Sequence, residues 1–98
     1  MDIDSYADWA QRMAPARTAN DLAVLALSLL GDAGELADVV KTDLRDGRLD
    51  EARLAHELAD VIFYWACLCA RTGLRPSQLL ERSRQAREAR KPSADGAR

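Results

Sequence analysis

The feature that most constrains this chain is an apolar helix stripe that carries acids. Leu22, Leu25, Leu29, Asp32, Leu36 and Val39 recur at three- and four-residue spacing, the period of one helix face. Asp32 takes a step where a bundle ordinarily places leucine, so its carboxylate is expected to point toward the core. Glu35 follows one turn later, about 4.5 Å along the axis, and the two read D-x-x-E. A second stripe, Leu54, Leu58, Val61, Trp65 and Leu68, runs beside Glu57 and Asp60, which read E-x-x-D.

Two antiparallel helices facing each other would bring these pairs together. Clustered carboxylates repel one another and lose hydration, so such an arrangement calls for a cation among them. Hard oxygen ligands at this density suit magnesium or manganese. Gly31 and Gly34 flank Asp32, and each costs roughly 1 kcal/mol against alanine inside a helix. That cost predicts close approach by a substrate or by another helix. The competing reading makes the acids solvated surface groups that fall on a seam by chance. It explains one such pair well, and two pairs on successive amphipathic helices poorly.

Four helices account for most of the chain. A first is expected from about Asp4 to Met13, closed by Pro15, with Tyr6 and Trp9 on its apolar side. A second, capped by Thr18 or Asn20, runs to about Leu44 and turns at Asp46-Gly47. Asp50 opens a third that ends near Thr72-Gly73, and Pro76 starts a fourth that reaches roughly Arg90. The expected fold is all-α, a four-helix bundle-like domain over residues 1–91, with residues 92–98 as a tail. The fourth helix, polar beyond Leu79 and Leu80, is expected over the mouth of the site or at a subunit boundary. At 98 residues a lone core is marginal, which favours a homo-oligomer, dimer or tetramer.

Charge is divided along the chain. Through Ala70 six Lys or Arg stand against thirteen Asp or Glu, a net −7, whereas from Arg71 onward eight stand against three, a net +5. The acidic part would repel a phosphate backbone, which argues against a nucleic-acid partner. No apolar run approaches the ~20 residues that span a bilayer, and Met1-Asp2-Ile3-Asp4 has no basic region or apolar signal core. A cytoplasmic location is expected, without a membrane partner. Cys67 and Cys69 stand two apart on a helix and point in different directions, as small core residues. His56 is the only histidine and reads as a surface residue; the Glu-x-x-His repeats of di-iron bundles are absent.

The segments Leu30-Gly31-Asp32-Ala33-Gly34-Glu35-Leu36 and Glu57-Leu58-Ala59-Asp60-Val61-Ile62-Phe63-Tyr64 resemble the MazG-like all-α nucleoside triphosphate pyrophosphohydrolases. That family's signature is E-x-x-E, a spacer, then E-x-x-D. The resemblance extends from about Tyr6 to Arg90. It implies magnesium-dependent cleavage of a nucleoside triphosphate to the monophosphate and pyrophosphate, with manganese as an alternative ion. Asp32, Glu35, Glu57 and Asp60 would then be the metal ligands, with Glu35 and Glu57 catalytic and Glu35 the candidate general base. Lys41 and Arg45 would contact phosphates, though their spacing with Asp38 also suits a surface ion-pair ladder, and Tyr64 would line the nucleotide pocket, with plain core packing as its alternative. An N-terminal aromatic such as Trp9 can help hold the base in this family, though a tryptophan on an apolar stripe is more often core packing.

Two departures stand out. Asp32 replaces the family's usual Glu and is one methylene shorter. Ser83 and Ala86 occupy positions where the fourth helix often has Asn and Lys. These departures motivate the alternative of a non-catalytic helical interaction module or a homologue whose activity has decayed. The base and sugar of the substrate are left open.

Overall fold

The structure, a computed structural model, describes residues 1–14 and 21–91. Helix α1 spans Ile3–Met13, and the Asp2 carboxylate caps it by accepting from the Ser5 backbone N–H at 2.8 Å. Helix α2 spans Leu22–Asp46. Its cap is Asp21, which accepts from the N–H groups of Ala23 and Val24 at 3.0 and 3.2 Å. This corrects the expected cap at Thr18 or Asn20: the capping side chain belongs to the residue just before the first helical one. Thr18, Asn20 and Pro15 lie outside the described residues, as do residues 92–98, the expected tail.

Gly47 ends α2 in the left-handed region, φ 70°, where a Cβ would be strained. After a short turn Asp50 caps α3, Glu51–Thr72, by accepting from the Arg53 N–H at 3.0 Å. Gly73, φ 77°, closes α3, and Pro76 opens α4, Pro76–Ala89. The all-α architecture of four packed helices matches the expectation. Among the described residues, no helix is long and apolar enough to cross a membrane.

Helix α3 is the centre of the packing, with α2 along one side and α1 along another. Small side chains make the α1 contact close: Ala7, Ala10 and Ala14 are buried in one cluster with Leu25, Ala66 and Cys67. Cys69 is buried too, and both cysteines are free thiols, as their spacing implied. Helix α4 joins through α1. Asp4 accepts hydrogen bonds from the Ser77 N–H at 2.9 Å and the Ser77 hydroxyl at 2.6 Å, and Arg75 stands 3.5 Å from the same carboxylate.

Candidate functional site

Helices α2 and α3 run antiparallel, and their facing residues step in matched register. Asp32 feels the charge of Asp60, Glu57 that of Glu35, and Asp38 pairs with Arg53 at 3.5 Å. Each advance of one turn on α2 is met by a retreat of one turn on α3, as antiparallel helices require. The four acids singled out by spacing thus share one seam.

Their electrostatics are those of a crowded acidic site. Glu57 is 4% exposed, the buried charged residue of the described chain. Burial raises its carboxyl above the ordinary value, and so does Glu35, while His56 and Arg53 pull it back. Arg53 Nε stands 3.8 Å from Glu57 Oε2, beyond hydrogen-bond range. The Asp32 carboxyl is also raised, first by burial, then by Asp60 and Glu35, with His56 opposing. Asp32 Oδ2 is buried without a hydrogen-bond partner. An unpaired buried carboxylate oxygen carries a large desolvation cost, and a cation is the natural complement.

Two neighbours of the acids were not connected with them in the sequence. Arg53 bridges Asp38 and Glu57; extending the antiparallel register by one step would have found it. His56, taken as a lone surface histidine, is indeed exposed, with 71% of its side chain open to solvent, yet its Nε2 lies 3.2 Å from Asp60 Oδ2. His56, Glu57 and Asp60 each bring a ligand atom within 4.8 Å of the others. The i, i+4 spacing of His56 and Asp60 was the available signal.

The expected substrate residues lie apart from the acids. Lys41 is exposed on α2, about 9 Å further along the axis than Glu35, and Arg45 about 15 Å. The Arg45 guanidinium forks onto Asp46, Nε to Oδ1 at 2.9 Å and Nη2 to Oδ2 at 3.1 Å. Tyr64 is half-buried against the core, edge-on to Phe63 with ring centroids 5.3 Å apart. Phe63 meets Trp9 at 6.3 Å, and Trp9 meets Tyr6 at 5.5 Å. An aromatic row therefore links α1 to α3. The Tyr6 phenol, raised above its ordinary value by burial and then by Cys67, also feels Asp60.

The glycines correct one of the two alternatives expected of them, close approach by another helix. A Cβ built on Gly31 or Gly34 meets nothing within 4 Å, so no other helix of the described chain approaches them closely. Their faces are open.

No curated relative and no solved structure matches the chain significantly. A family model, the MazG nucleotide pyrophosphohydrolase domain, matches residues 21–92. That span holds both acidic pairs and leaves α1, with Tyr6 and Trp9, outside. With both acid pairs on one antiparallel seam and the model covering most of its length, the chain belongs to the MazG nucleotide pyrophosphohydrolase domain family.

Proposed function

We propose that the chain is a metal-dependent pyrophosphohydrolase that converts a nucleoside triphosphate to the monophosphate and pyrophosphate. The observation that carries this reading is the buried, unpartnered Asp32 Oδ2 on a seam shared with Glu35, Glu57 and Asp60. The donor set consists of hard carboxylate oxygens and lacks enough cations of its own, which fits a divalent ion of the magnesium or manganese type.

Asp32, Glu35, Glu57 and Asp60 would hold that ion, which when bound supplies positive charge to the triphosphate and acidifies water. Glu35, exposed and in this reading the carboxylate not fully engaged by the ion, would accept the proton of the attacking water. As the new P–O bond forms, the α–β anhydride breaks and its electron pair leaves with pyrophosphate. Glu57, buried and unable to relax toward solvent, keeps its carboxylate on the seam. Lys41 reaches outward phosphates, and Arg45 joins it by exchanging Asp46 for phosphate oxygens. Tyr64 borders the base. The protein works as a homo-oligomer in the cytoplasm.

A screen of canonical and modified nucleotides with magnesium or manganese, reading out pyrophosphate, tests the activity and identifies the substrate. Glu57→Gln and Glu35→Gln are expected to abolish turnover while leaving helical content unchanged. Asp32→Glu should preserve or raise it. Undiminished turnover in either Gln variant would overturn the site. A wild-type protein that binds the ion and releases no pyrophosphate from any nucleotide would instead support a helical module without activity.

A further inference from the structure

His56 immediately precedes Glu57 and stands four residues before Asp60, so α3 reads H-E-x-x-D across one turn. Positions i and i+4 lie on one helix face, the spacing by which paired side chains on a helix chelate a single ion. Nε2 of His56 is 3.2 Å from Asp60 Oδ2, and the ligand atoms of His56, Glu57 and Asp60 fall within 4.8 Å of one another. Ligands at about 2.1 Å from a shared ion stand up to roughly 4 Å apart, so small side-chain rotations close the gap. The buried Asp32 Oδ2, unpartnered, belongs to the same seam.

We propose that His56 is a ligand of the seam's divalent ion, and that its imidazole biases the site toward a first-row transition ion such as manganese or cobalt over magnesium. The inference rests on the metal-site reading above and adds to it a nitrogen donor. Magnesium favours oxygen and gains little from imidazole, whereas affinity for nitrogen rises from manganese through cobalt. The bland alternative is an exposed helical ion pair between His56 and Asp60, which would leave ion preference untouched.

The test uses the full chain with any histidine tag removed. Because the chain has one histidine, nitrogen coupling of imidazole type in the pulsed paramagnetic resonance spectrum of bound manganese can arise only from His56. The expected result is such coupling in the wild type, its loss in His56→Gln, and a fall in manganese and cobalt affinity on the order of tenfold with magnesium affinity nearly unchanged. Manganese bound tightly without nitrogen coupling, and unaltered affinity in His56→Gln, would overturn the role of His56 while leaving the carboxylate site standing. Failure of the wild type to bind manganese, cobalt or magnesium would overturn both. Should His56→Gln unfold, the wild-type coupling decides the matter alone.

Discussion

Asp32 and Glu57 show what it costs to put acids on a partly buried seam. Both carboxyls sit above their ordinary values, chiefly through burial and then through neighbouring carboxylates. A raised acid contributes stability that is fully present below its unfolded pKa, near 4. That contribution is lost as pH rises through the folded value. Near pH 7 the cluster therefore destabilises the ion-free protein. Glu57→Gln should raise the melting temperature in EDTA at pH 7, and the difference should shrink toward pH 3. A divalent ion that binds only the folded chain reverses the penalty by about RT ln(1 + [L]/Kd), roughly 2.7 kcal/mol at a hundredfold excess over Kd. That shifts a small domain's melting point by several degrees. If manganese or magnesium moves the wild-type melting point no more than sodium chloride of matched ionic strength, the acids hold no ion.

At the scale of the helix, the chain's ends are written locally and its contacts are not. Asp50→Ala should cost about 1 kcal/mol, the usual worth of an N-cap, and lower the melting temperature without changing oligomeric mass. Asp4 has the opposite sign from the seam acids. Ser77 and then Arg75 hold its carboxyl below the ordinary value, so its contribution is present above the unfolded pKa and lost as pH falls through the folded one. Asp4→Asn should therefore destabilise the protein at pH 7 and much less near pH 2; an equal loss at both would sink the assignment. Asp50, Gly47, Gly73 and Pro76 were legible because capping and left-handed turns depend on the residue itself. The α2 cap was misplaced because Thr18, Asn20 and Asp21 can all serve, and the first helical hydrogen bond decides between them. Helix α4, whose expected place was over the site or at a subunit boundary, is anchored on α1 by the Asp4–Ser77 pair, 73 residues apart in sequence, which leaves its other side to either role. No local pattern encodes such a contact. The acid seam was legible because a carboxylate on an apolar stripe breaks the period; Arg53 needed the register between α2 and α3, whereas His56 needed only its i, i+4 spacing to Asp60 within α3.

At the scale of the molecule, the described residues of a single chain leave much apolar surface uncovered. The largest fully buried side chains are Leu25, Val39, Pro76 and Cys67, a slight core for this length. The radius of gyration is 16.1 Å, against roughly 13 Å for a compact domain of about 100 residues. Leu58 is 50% exposed and Ile62 42%, and both line an open apolar groove of about 710 Å³ with Ile3, Leu29, Trp65 and Leu80. Full burial of a leucine or isoleucine is worth about 1.5–3 kcal/mol, so covering this groove with a second copy would contribute on the scale of a small domain's whole stability. The homo-oligomer proposed above has its physical argument here. Light scattering should give a mass above one chain, and the melting temperature should rise with protein concentration, as it does when folding and association are linked. Leu80→Glu places a charge in the groove from α4, which carries none of the four acids. It should lower the mass to one chain and make the melting temperature independent of concentration. A wild type with the mass of one chain across the accessible concentration range, and a melting temperature that dilution does not move, would show that the groove is left open in solution.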